Sequence, residues 1–179
     1  MTQYANLYGK SLYDLAAEEQ AEERIAEEME CVSQLLNDNP DYVRLLSEAS
    51  LPKAERLHLL DEAFGDAVHP YLLNFMKILV EEDHVREFTG CCRRVRHLYN
   101  ADHGITEAEA VSAVPLTDAQ REALVAKLQK VSGKTVRLTC REDPSILGGL
   151  RVTMDGKLYD GTVQGRLGEL RQKVTGTTI

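Results

Sequence analysis

Residues 148–170 read GGLRVTMDGKLYDGTVQGRLGEL, and their period decides the class of the second half of the chain. Leu150, Val152 and Met154 alternate with Arg151, Thr153 and Asp155, the two-residue repeat of a strand with one face buried. Asp155-Gly156 separates this run from Lys157-Leu158-Tyr159. A two-residue type I′ turn needs positive φ at both positions, which Asp-Gly tolerates, so a hairpin is predicted. Asp160 is placed to cap a last helix with the apolar stripe Val163, Leu167, Leu170 and Val174. Gly148 and Gly149 ahead of the strand imply a close backbone approach that a side chain would block. Gly165, one turn into a helix where glycine costs about 0.5–1 kcal/mol relative to alanine, implies close helix–sheet contact.

Upstream, Val136, Leu138 and Cys140 alternate with Thr135, Arg137, Thr139 and Arg141, which predicts another strand. Thr117 with Gln120 three residues on is a capping-box pattern, and Leu124, Val125, Leu128 and Val131 carry that helix to Gly133. A weaker strand is read at Val111 to Leu116. Residues 105–179 therefore form a small α+β domain, with a boundary at Gly104.

Residues 1–104 have a helical period instead. Tyr4, Ala5, Tyr8, Leu12, Leu15 and Ala16 fall on one side of a first helix, widened by Leu7 and Tyr13. Ala21, Ile25, Met29, Val32, Leu35 and Leu36 form a second stripe, and the glutamates crowding residues 18–30 read as its solvated face. Asn39-Pro40 ends it. Short patterns follow at Tyr42 to Leu46 and Leu57 to Phe64; a fifth helix opens at Pro70, and a sixth runs from Val85 to Tyr99. Eight of the ten residues from Tyr71 to Val80 are apolar, so the fifth helix must be buried on more than one side. The fold class expected is mainly α: a six-helix bundle followed by the α+β domain.

Residues 1–103 hold ten Lys+Arg against twenty Asp+Glu, net −10, and residues 104–179 hold eleven against nine, net +2, which gives the chain's −8. That balance argues against a nucleic-acid partner, which needs a basic face. No stretch approaches the ~18 apolar residues of a membrane span, so no direct membrane insertion is expected. The start shows no targeting pattern, which predicts a chain kept where it is made, with its four cysteines as thiols.

Catalytic patterns are absent. There is no phosphate loop or G-x-G-x-x-G for a nucleotide, and no G-x-S-x-G. Cys91 and Cys92 lie near His97, but adjacent helical cysteines point about 100° apart and the C-x-x-C spacing is missing, so packing is the reading and no metal is expected. No catalytic residue and no cofactor are expected. On the residues alone a generic helical adaptor stays open as an alternative.

Gly148-Gly149-Leu150-Arg151-Val152, the hairpin, and the run from Asp160-Gly161-Thr162 through Gly165-Arg166-Leu167 to Leu170 resemble the C-terminal signature of the delta subunit of F-type ATP synthase, the oligomycin-sensitivity-conferring protein family. Tyr4-Ala5 to Ala16 resembles that family's opening helix, and His69-Pro70-Tyr71 through Asn74-Phe75 to Leu79-Val80 its fifth. The likeness thus covers nearly the whole chain, in order. One departure is Asp83-His84, where the family often carries Gly-Arg. The resemblance implies a non-catalytic stator subunit, peripheral on the cytoplasmic face of the bacterial plasma membrane. Its helical domain would bind the N-terminal helix of an alpha subunit, and its smaller domain the C-terminal ends of the stalk's b subunits. On that reading Tyr4, Ala5, Tyr8, Phe75, Ile78 and Leu79 are expected to line the alpha-subunit groove and Arg166 and Arg171 to face the stalk, while Gly148, Gly149, Asp160, Gly161 and Gly165 are structural.

Overall fold

Ala5, Gly9, Leu12 and Ala16 recur every three or four residues, and in the computed structural model they are the buried stripe of the first helix, α1 (Gln3–Glu18). The structure describes residues 2–165 and Leu167. The chain divides into two units, Met1–Asp102 and His103–Ile179.

In the first unit α2 (Glu22–Asp38), α3 (Pro40–Leu46), α4 (Lys53–Phe64), α5 (Pro70–Glu81) and α6 (Phe88–Asp102) follow α1. The central helix is α6, against which α1 and α2 both pack. The α1–α6 approach is set by the lack of side chains. A Cβ on Gly90 would stand 2.9 Å from the Ala5 Cβ, closer than two carbons can approach. From α2, Ile25, Met29, Val32 and Leu36 fill the core, and Leu60, Leu72, Met76 and Leu79 fill it from α4 and α5.

The sequence predicts a helix beginning at Val85, but Val85–Glu87 is a tight 3-10 turn and the α-helix starts at Phe88. The reason lies just upstream. Asp83 takes a φ of 58°, the left-handed conformation glycine adopts freely. The His84 N–H then returns to the Leu79 carbonyl at 2.7 Å, closing α5 before α6 can begin. Buried Arg56 secures this corner by donating to the Leu46 carbonyl (3.1 Å) and the Asp83 carboxylate (2.7 Å). The Arg56 hydrogen bond holds the Asp83 carboxyl below its ordinary range. Its contribution is present above the unfolded aspartate range and is lost as pH falls through the lowered folded value.

The start of α5 is held by another element. The Glu28 carboxylate on α2 accepts the His69 N–H at 2.6 Å and pairs with Arg24 at 2.7 Å. The bond is part-buried, so its loss leaves a donor poorly hydrated. Glu28→Ala is expected to lower stability by about 1–2 kcal/mol, read as a fall in urea midpoint at constant slope. An unmoved midpoint would show the bond to be idle.

In the second unit β1 (Ile105–Ser112) runs parallel to β2 (Thr135–Glu142), the two joined through α7 (Asp118–Ser132). Antiparallel β3 (Leu150–Met154) flanks β1 on the other side and β4 (Lys157–Asp160) follows, giving the order β2-β1-β3-β4. The Thr117–Gln120 capping box forms, and Gly133 closes α7 at a φ of 70°. Asp155 and Gly156 have φ of 49° and 72°, as the hairpin requires. The weak strand expected over residues 111–116 instead occupies 105–112. Its core-facing residues Thr106, Ala108, Ala110 and Ser112 are small, so the most central strand carries the faintest hydropathy signal. Leu124, Val125 and Leu128 of α7 pack on Ala108, Ala110, Val136 and Val152, while the opposite face bears charged pairs such as Arg141–Glu109 and Arg151–Asp160.

Candidate docking surfaces

The core takes one arc of α1; its apolar residues occupy two. About 100° round the helix from the buried stripe lie Tyr4, 53 % exposed, Leu7, 63 % exposed, half-buried Tyr8 and exposed Leu15. α5 is in contact with α1 and adds exposed Ile78. The His84 ring lies 4.4 Å from the Tyr4 ring and 6.1 Å from that of Tyr8, joining the end of α5 to the start of α1.

Of the six residues expected to line a groove here, Tyr4, Tyr8 and Ile78 reach the surface. Ala5 and Leu79 are buried and Phe75 is 6 % exposed, its ring 6.3 Å from Phe88 inside the bundle. These three are a correction: they form the layer beneath the surface, because the helical positions that face the core and those that face outward are adjacent. Leu7 and His84 also belong to this surface, and neither is among the six residues expected there. The 4-7-8-11-15 arc would have found Leu7; His84 carries no periodic signal, because it lies in a turn.

The second unit has an open cleft of about 1110 Å³ between α7, the segment after β1, and the β3–β4 half of the sheet. α7 packs chiefly on β2, so Leu150 and Tyr159 on the far strands face this cleft with Val114, Leu116, Leu124 and Leu147 around them. Leu147 is 76 % exposed. Lys127 stands on the α7 wall. Arg166 and Arg171, the residues expected to face the stalk, lie outside the described residues.

Comparison with known proteins gives the family. The family model described as ATP synthase delta (OSCP) subunit matches residues 5–174. The chain belongs to that family. ATP synthase subunit delta of Gloeobacter violaceus is 30 % identical over 175 residues, covering 97 % of this chain and 95 % of that protein. The subunit delta of a Geobacillus strain is 30 % identical over 173 residues, covering 96 % and 97 %. A chain in a cryo-EM structure of the Toxoplasma gondii mitochondrial ATP synthase hexamer shares the fold with a TM-score of 0.76 at 16 % identity, covering 98 % of both chains. This delta-family chain is thus a stator subunit of ATP synthase.

The glycine signature of this delta-family chain is explained by backbone packing. The Gly161 N–H donates to the Leu150 carbonyl at 2.8 Å and the Val163 N–H to the Gly148 carbonyl at 3.1 Å, which presses residues 161–163 onto the start of β3. A Cβ on Gly149 would lie 2.4 Å from the Gly161 carbonyl oxygen. Asp160 is not the helix cap. Its carboxylate accepts the Thr162 N–H at 2.9 Å, and the Thr162 hydroxyl accepts the Gly165 N–H at 3.0 Å, so Thr162 is the cap and Asp160 shapes the turn into it. A Cβ on Gly165 would meet the Asp160 carboxylate at 2.9 Å, so the close approach it allows is to the end of β4.

Cys91 and Cys92 are buried in α6; burial pushes their thiols up to about 12 and about 11, with Glu87 and Glu30 adding to the respective shifts. They are packing groups, not nucleophiles, at neutral pH. Among the described residues no cluster has the makings of a metal site, and no helix is long and apolar enough to cross a membrane.

Proposed function

We propose that this delta-family subunit is a non-catalytic joint on the cytoplasmic face of the bacterial plasma membrane. Its first unit takes the N-terminal helix of an alpha subunit on the α1–α5 face, and its second takes the C-terminal ends of the b subunits. Rotation of the rotor exerts torque on the alpha/beta head, and a joint of this kind keeps the head from turning with it. The observation that carries the reading is the second apolar arc of α1. An arc of Tyr4, Leu7, Tyr8 and Leu15 outside the core is what an amphipathic helix covers, at about 25 cal/mol per Å² of apolar surface buried.

The test uses the full chain and a peptide of the alpha-subunit N-terminus from the same organism. Tyr4→Asp with Ile78→Asp should fold, since both sites are exposed, and should weaken the peptide at least about 100-fold, the effect of two charges left in an apolar interface. A folded double variant with undiminished affinity refutes the assignment. Phe75→Asp is unsuitable, because it would bury a carboxylate in the bundle core.

For the stalk, the cleft beside α7 offers the apolar surface and the unit's net +2 favours an acidic amphipathic helix. Charge reversal at Arg166 and Arg171 tests the electrostatic share of that contact, and Leu147→Asp tests the cleft.

A further inference from the structure

The α1–α5 face is not uniform along its length. At one end, where α5 stops and α1 begins, the Tyr4 and Tyr8 rings gather on His84. The chain that forms this end, Glu81-Glu82-Asp83-His84-Val85-Arg86-Glu87, holds four carboxylates and one arginine. Two cations beside it are engaged, the Arg56 guanidinium with Asp83 and the Lys53 ammonium with the Glu81 carbonyl at 2.5 Å, while Arg86 within it is exposed. The Thr2 hydroxyl donates to Glu87, which fixes that carboxylate beside the start of α1. The C-terminus of α5 adds its partial negative charge at the same place. Half-exposed aromatic faces beside carboxylates, on a unit of net charge −10, form a cation-accepting end on an otherwise apolar surface.

Resting on the docking proposed above, we infer that the helix laid on this face carries a lysine or arginine that seats against the Tyr4 and Tyr8 rings, within reach of Glu82 and Glu87. An apolar stripe alone lets a helix lie in either direction. A single cation matched to one end of the face fixes which way it runs, and a partner lacking that charge or carrying it at the other end is discriminated against. His84 serves here as a positioning residue: its ring backs Tyr4, and its own place is set by the bond to Leu79 and by the Arg56–Asp83 pair next to it.

The experiment is a double-mutant cycle on the full chain. Wild type and Tyr4→Leu, which keeps apolar bulk and removes the π face, are titrated with the alpha-subunit N-terminal peptide of the same organism. A second peptide has the lysine or arginine nearest this end replaced by norleucine. Tyr4→Leu should weaken the natural peptide about three- to tenfold and the norleucine peptide hardly at all. Glu82→Gln should flatten the salt dependence of the natural peptide only. Equal losses for both peptides, a norleucine peptide that binds wild type as tightly as the natural one, or a natural peptide with no basic residue that binds normally would overturn the inference and leave the docking reading standing. If wild type binds neither peptide, it is the docking reading itself that fails.

Discussion

Gly149→Ala is expected to destabilise the C-terminal unit by about 3–4 kcal/mol, from strain and overpacking together. Two costs coincide at this residue. Its φ of 91° is a conformation that L-residues avoid, and its missing side chain makes room for backbone, with the Gly161 oxygen at 2.4 Å and the Thr162 Cα at 2.7 Å from where a Cβ would stand. Neither neighbour is a flexible side-chain end, so relief requires residues 161–163 to move off β3. The bonds that would break are the Gly161 N–H to Leu150 and Val163 N–H to Gly148. Hydrogen exchange should therefore show those two amides losing protection first, together with a lower midpoint for the sheet. Gly156→Ala is the control: its φ is 72° but nothing lies within 4 Å of the added Cβ, so only the conformational cost of about 1–2 kcal/mol applies. If the two alanine variants melt alike, close approach is not what Gly149 provides.

What the residues revealed in advance, and what they did not, divides along the same physical line. Period and turn chemistry are local, so the Thr117 capping box, the Asp155-Gly156 hairpin and the alternation at Val136 and Val152 are readable from the chain and are what the structure contains. The glycine signature announced close packing, yet not its target; that Gly149 abuts Gly161 depends on two segments meeting in space. β1 starts six residues before and ends four residues before the strand the hydropathy suggests, because a strand buried between two neighbours and a helix uses alanine, threonine and serine where space is short. The docking face shows the same limit. Periodicity marked α1 and α5 as more apolar than one core contact needs, but could not divide Tyr4 from Ala5, or Ile78 from Leu79, since neighbours on a helix differ by about 100° and the core's direction is not written in either segment. His84, a turn residue, had no pattern to be found by.

Gly9→Val should damage partner binding through a site that no partner touches. On the buried arc of α1, a Cβ at Gly9 would stand 2.8 Å from the Arg94 Cβ and 3.0 Å from the Cys91 carbonyl oxygen of α6. The first lies at the root of a side chain and the second in backbone, so α1 must shift away from α6. Gly9→Ala already brings both close contacts but recovers helix propensity worth about 1 kcal/mol, and the two effects should partly offset. Gly9→Val adds two methyl groups and β-branching with little propensity gained, and a loss of about 2–4 kcal/mol in the helical unit is expected from overpacking. The shift also tilts the opposite arc, because a helix moves as a body: Tyr4 and Leu7 travel with it relative to Ile78 and His84, which α5 holds in place. Affinity for the alpha-subunit peptide should fall even at temperatures where the variant is fully folded by circular dichroism, and Lys10→Ala, an exposed change on the same helix off both arcs, should leave both properties as they are. A Gly9→Val protein that melts with wild type would show that the α1–α6 contact has slack. One that is destabilised yet binds the peptide normally would show that the position of α1 over α6 does not govern docking.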